Sequence, residues 1–305
     1  FKPIAGSGER GFAGEPPCRS AAGAAPEGRS RGNSSRAFGS LAGTWLSKRR
    51  ILPCLLPLIL FTCWNLATSS GLAPEYLLPS PRTVWETVCA YMGAVSEGYA
   101  DAYAGRFWGD LSASLGRVGS GYLLAVIPGV ALGLASGRSP ALASLLSPII
   151  NGVRAVPGIS WLPLALLWLG IGFRATVFLI ALAGFFPAYL NAAAGAAAVP
   201  PVLIRAGRML GFGRRAIFFR VVIPSAMPQV RTGLRVALGM SFSYLVLGEL
   251  TGVPDGLGAM IMDARLAGRV DLLVSGIILI ALVGWLCDVL LMRALSAVSV
   301  SLRRQ

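Results

Sequence analysis

Apolar runs long enough to cross a bilayer alternate with short polar segments along this 305-residue chain. A helix needs about 20 apolar residues to span the hydrocarbon. The first run, 51–68, is uncharged and follows Lys48, Arg49 and Arg50. A basic flank before an apolar run also describes a signal peptide. This run is long for a signal core and no small-residue cleavage site follows it, so a retained first span is predicted. Further spans are predicted at 118–136, within 145–171, and at 175–196, 233–252 and 272–291. Pro157 and Gly158 interrupt the third, and Pro163 and Pro187 mark further kinks. Within the polar segment 69–115, Val84, Val88, Tyr91 and Met92 recur at helical spacing and predict an amphipathic helix. Gly129, Gly133 and Gly137 fall at four-residue intervals, which predicts a flat face open to close approach by another helix. Residues 1–47 lack apolar periodicity and read as a disordered cytoplasmic tail ahead of a transmembrane domain, 48–305. The expected fold class is all-α, a polytopic membrane protein with six transmembrane helices.

Composition agrees with that pattern. The chain is 55% hydrophobic and 13% charged, with a mean hydropathy of +0.68, where soluble chains are about 25% charged. The net charge of +14 bears on topology. The basic residues lie between apolar runs and not on one soluble domain, which argues against nucleic acid. They collect instead on one side of the predicted spans: Lys48, Arg49, Arg50, Arg138, the arginines of 197–231 with Arg235, and the C-terminal arginines. The intervening segments are near neutral or acidic, although Arg117 and Arg174 sit at their edges. Because basic residues resist translocation, both termini are expected in the cytoplasm.

The same composition excludes several chemistries. With no histidine there is no His-based catalysis and no His metal ligand. The five cysteines include no CxxC pair, so neither a zinc site nor a disulfide framework is indicated. No cofactor is expected. No GxxxxGK[ST] motif occurs, so any ATP hydrolysis must come from a separate subunit.

The loop 197–231 is too charged to cross a membrane, yet it is patterned. Val202, Leu203, Ile204, Met209 and Leu210 form apolar patches around Arg205 and Arg208. Gly211 and Gly213 break that short helix, and a second helical stretch, 214–222, is expected to end at Pro224. Short helices with exposed apolar residues at the inner face suit a protein partner or the membrane surface.

Here the chain resembles a known family. The loop looks like the EAA loop of binding-protein-dependent ABC importer permeases, which follows E-A-A-x3-G-x9-I-x-L-P. Arg205, Ala206 and Gly207 stand at the E-A-A positions, Gly211 at the glycine, and Val221, Ile223 and Pro224 at the I, L and P positions. Other segments resemble the sulfonate, taurine and nitrate branch. They are Leu78-Pro79-Ser80-Pro81; Arg154-Ala155-Val156-Pro157 with Trp161-Leu162-Pro163-Leu164; Trp168 to Gly172; Phe185-Phe186-Pro187; and Leu247-Gly248-Glu249-Leu250 followed by Gly256-Leu257-Gly258. The resemblance implies the type I importer fold and a homodimer in the bacterial inner membrane. It also implies a cytoplasmic ABC ATPase docked on each 197–231 loop, and an extracytoplasmic solute-binding protein. The cargo it implies is a small anion. Arg205 departs from the family, reversing the charge of the leading acid.

Two charged residues within spans are candidate pathway groups. Arg154 would favour an anion, or it is an arginine at the cytoplasmic membrane interface. Glu249 calls for a partner, through a structural pair or a transport role. Asp288 is similar, and Arg293 lies too far along the helix to be its i,i+4 mate. A secondary transporter is the alternative function. It would need an internal repeat or coupling-ion carboxylates, and neither is evident. A membrane enzyme would need a polar catalytic cluster, and none is visible.

Overall fold

Small residues let two long helices of this protein touch backbone to backbone. The computed structural model describes residues 55–71, 74, 76–93 and 103–303, and all regular structure among them is helical. The expected tail 1–47 and the basic triplet after it lie outside the described residues. The chain divides into two units after Ile59. Of the first, residues 55–59 are described, helical and exposed. They open α1, Leu55–Ser69. The second unit holds the remaining helices.

Ser80 caps α2 (Pro81–Met92) by accepting from the Thr83 amide at 3.2 Å, and Pro81 fits the first turn, where an N–H has no helical partner. Trp64 donates to the Pro79 carbonyl at 3.1 Å, which ties α1 to this corner. Val84 and Tyr91 bury the predicted apolar face, while Met92 stays exposed. Next come α3 (Phe107–Ser136), α4 (Pro140–Ala155), a 3-10 turn (Gly158–Trp161), α5 (Leu162–Leu169) and α6 (Phe173–Ala197). The loop segment contains α7 (Pro201–Met209), α8 (Arg214–Ile217) and a π turn (Phe218–Val222). The chain ends with α9 (Ile223–Glu249), α10 (Leu257–Leu266) and α11 (Val270–Arg303).

The α3–α6 seam is made by the predicted glycines. A Cβ on Gly133 would stand 2.5 Å from the Tyr189 carbonyl oxygen and 2.8 Å from the Ala192 Cβ. Gly137 would meet Ala193 and Ala196 in the same way. α9 then packs on α6. Among the described residues three helices, α3, α6 and α11, are long and apolar enough to cross a membrane, and α4 with α5 forms a fourth candidate bent by 89°. α9 has 27 residues, enough to cross, but Arg231, Arg235 and Glu249 lower its hydropathy. Those groups are matched by neighbouring elements. Arg235 pairs with Asp288 of α11 at 2.8 Å, and Arg231 donates to the Leu295 carbonyl at 2.5 Å. The partner of Asp288 therefore comes from α9, and Arg293 of its own helix is not involved.

Three boundaries differ from expectation. α3 begins eleven residues before 118, at Phe107, because its first turns carry polar groups that neighbouring helices satisfy. α11 runs on past 291 to Arg303. Pro224 does not end a helix. It occupies the first turn of α9, where its missing N–H costs nothing, and the π turn before it absorbs the extra residue.

Candidate functional site

The segment 197–231 is a rigid knuckle. In α7 the Leu210 amide bonds to the Ala206 carbonyl at 3.1 Å, and the Phe212 amide returns to the Gly207 carbonyl at 3.0 Å. Gly211 makes that reversal with a φ of +78°. A left-handed backbone costs an L-residue about 1–2 kcal/mol, and glycine avoids that cost. Ile204, Ile217 and Val222 point inward and join Leu134, Ala196 and Ala226 in one buried cluster. The loop is thus fastened to the ends of α3, α6 and α9. Its other face is open. Leu203, Met209, Leu210 and Phe219 are exposed, Met209 by 89%. Arg205, Arg208, Arg214, Arg215 and Arg220 are exposed among them, with Arg220 over the Phe212 ring at 5.6 Å. No acidic residue occurs in the segment.

The predicted loop residues fall on both faces. Arg205 and Ala206 point out, and Gly207 is buried. Val221 and Ile223 are half-buried against the cluster, and Pro224 is exposed. The helical path from Arg214 into α9 has no break.

A second feature lies where α4 breaks. Arg154, in the last turn of α4, borders a cavity of about 400 Å³ with Pro157, Trp161, Phe186, Asn191 and Tyr244. The Tyr244 hydroxyl fits against Gly158, where a Cβ would collide with it. No acidic residue lines this space. Trp161, from the family-like segment Trp161-Leu162-Pro163-Leu164, faces the cavity.

Glu249 lies elsewhere, fully buried near the start of α3. Its carboxylate accepts from Ser114 at 2.9 Å, Arg117 at 2.7 Å and the Gly258 amide at 2.8 Å. Arg117 reaches on to Asp255. Ser114 also accepts from the Leu257 amide at 2.9 Å, and the Gly256 amide donates to Asp110 at 3.0 Å. Three amides at the start of α10 thus face oxygen acceptors, with the carboxylates favoured by the helix dipole. Gly256 has a φ of +115°, and a Cβ there would stand 2.5 Å from the Glu249 carboxylate. The run Gly256-Leu257-Gly258 is the seat of Glu249. Asp110 also accepts from the Tyr91 hydroxyl at 2.7 Å, and burial with that neighbour pushes the phenol well above its ordinary range. Sequence reading noted Arg117 only as an edge charge. The placing of Asp110, Ser114 and Arg117 at i, i+4 and i+7, on one face of a helix, was the available signal.

Comparison with known proteins follows the same outline. Residues 129–304 match the family of binding-protein-dependent transport system inner membrane components. The taurine transport system permease protein of Escherichia coli (strain K12) is 38% identical over 76% of this chain and 82% of its own length. The nitrate import permease protein of Leptolyngbya laminosa is 31% identical, covering 86% and 92%. The bicarbonate transport system permease protein of Synechocystis sp. is 32% identical, covering 85% and 92%. A chain of the MetNI methionine ABC transporter in an inward-facing crystal form has the same fold. It matches with a TM-score of 0.55 and 19% identity, covering 67% of this chain and 99% of that one.

Proposed function

We propose a function from one premise: the chain belongs to the family of binding-protein-dependent transport system inner membrane components. It is a permease subunit of an ABC importer, the non-catalytic membrane component, and the ATPase is a separate subunit. The finer reading is ours. The 197–231 knuckle is the coupling element, entering a groove of the cytoplasmic ATPase. Arg205, Ala206 and Gly211 form its docking side, and Gly207, Val221, Ile223 and Pro224 tie it to α9. The single observation that carries this reading is the loop's two-faced build, anchored inward to three long helices and cationic and apolar outward.

The six spans are α1, α3, α4 with α5, α6, α9 and α11. Arg138 and the loop arginines share one end of the molecule, which the positive-inside rule assigns to the cytoplasm together with both termini. Two copies enclose the pathway, and an extracytoplasmic binding protein delivers the solute. The cargo is a small oxyanion of the sulfonate, taurine or nitrate kind. Arg154, unpaired among the described residues and facing a cavity without acids, supports that cargo class. Glu249 is saturated by Arg117, Ser114 and Gly258, and it serves as a structural pair.

The test is assembly. Changing both Met209 and Leu210 to Asp should abolish copurification of the ATPase subunit while membrane insertion persists. Unchanged copurification would remove the docking role from this face.

A further inference from the structure

We propose that the groove between α4 and α6 lines each copy's side of the anion pathway, entered at Arg154 and left at an arginine cluster beside the coupling loop. The inference rests on the permease reading above and adds the route and its selectivity.

Three cavities abut along this groove. The cavity at Arg154 shares Leu190 with a second of about 580 Å³, between the end of α3, α4 and α6. The second shares Arg138 and Pro140 with a third of about 480 Å³, under the loop. Ser147, Asn151 and Arg154, all exposed, lie at i, i+4 and i+7 of α4, so a polar stripe runs down one face of this largely apolar helix. Ser147 and Asn151 line the second cavity, and Asn151 donates to Ser147 at 3.1 Å. In the third cavity Arg138, Arg208 and Arg214 converge from the α3–α4 turn, α7 and α8.

Polar groups inside a membrane domain are tolerated where they face water or one another. A stripe continuous with cavities at each level satisfies that condition. The charge pattern fixes the cargo. The three cavities carry four arginines and no Asp or Glu. The acids of α9 and α11 face elsewhere, Glu249 to Arg117, Asp271 to Arg269 and Thr87, and Asp288 to Arg235. Low-dielectric walls with one sign of charge concentrate the opposite ion and repel its like. Arg154 attracts an oxyanion into the groove, and the lower cluster draws it toward the loop end. Because Arg208 and Arg214 belong to the coupling loop, movement of that loop also moves the lower anion site.

A cysteine at position 151 reads the field directly. In the assembled transporter, with native cysteines replaced, Asn151→Cys is treated with methanethiosulfonates bearing a sulfonate or a trimethylammonium group. Rates are divided by those for a free thiol, with and without ATP. The anionic reagent should be favoured about tenfold or more. Arg138→Gln and Arg154→Gln should each lower that preference several-fold, and Arg138→Lys should keep it. Arg82→Gln, an exposed side chain of α2 away from the groove, should not change it. If Asn151→Cys does not assemble, Ser147→Cys occupies the same stripe. Equal rates, a preference for the cation, or indifference to both arginine changes would overturn the conduit. Persistent ATP-driven uptake alongside such a result would leave the permease reading standing. Uptake that never depends on the ATPase would instead remove the reading on which the conduit rests.

Discussion

Gly207 and Gly211 sit four residues apart in the same knuckle and do different work. A Cβ at Gly207 would meet Ile217, Phe212 and Val221 at 3.5–3.8 Å, which is ordinary contact. Gly207→Ala should therefore stabilise α7 by about 0.5–1 kcal/mol, seen as a higher unfolding temperature in detergent. At Gly211 nothing lies within 4 Å, so the barrier to substitution is backbone conformation alone. Asn, which tolerates the left-handed region, should replace it better than Val. Glu249→Ala would leave Arg117 buried without its buried partner, with only the half-exposed Asp255 carboxylate beside it. Removing one member of a buried pair costs about 3–5 kcal/mol, so this variant should lose most of its folded yield. The presence of Glu249 in a span was legible in the sequence. Its partner was not, because Arg117 lies 132 positions away on another helix.

At the scale of elements, α3 and α6 depend on absent side chains. Gly133→Leu should drive the two helices apart and cost more than the 1–3 kcal/mol usual for overpacking, because the nearest neighbour is a backbone carbonyl that cannot rotate away. Loss of the monodisperse peak in size-exclusion chromatography would report it. This seam was legible, since small residues at four-residue spacing have one physical meaning in a membrane helix. The α4 break was legible from Pro157 and Gly158. The passage through Pro224 was not. A proline after a short helix reads as a stop, and only the π turn over Phe218–Val222 shows it as a start. Hydropathy alone also understates α9, whose arginines are matched across the bundle.

For the whole molecule, membrane location follows from family membership, and sidedness is the part to be measured. Arg215→Cys should react with an impermeant thiol reagent only from the cytoplasmic side, and Glu86→Cys only from outside. Composition and apolar runs revealed the class of protein, and the loop's spacing marked out the segment proposed as its coupling element. The cavities along α4 were hidden, because Ser147, Asn151 and Arg154 gain meaning only when α6 stands beside α4. The central claim is that the 197–231 loop converts ATPase motion into transport. The most direct measurement is the ratio of solute imported to ATP hydrolysed, in proteoliposomes holding the permease, its ATPase and its binding protein. Gly211→Val should insert and assemble yet lower that ratio about tenfold or more, and Gly211→Asn should stay near wild type. A Gly211→Val transporter with an unchanged ratio would contradict the account.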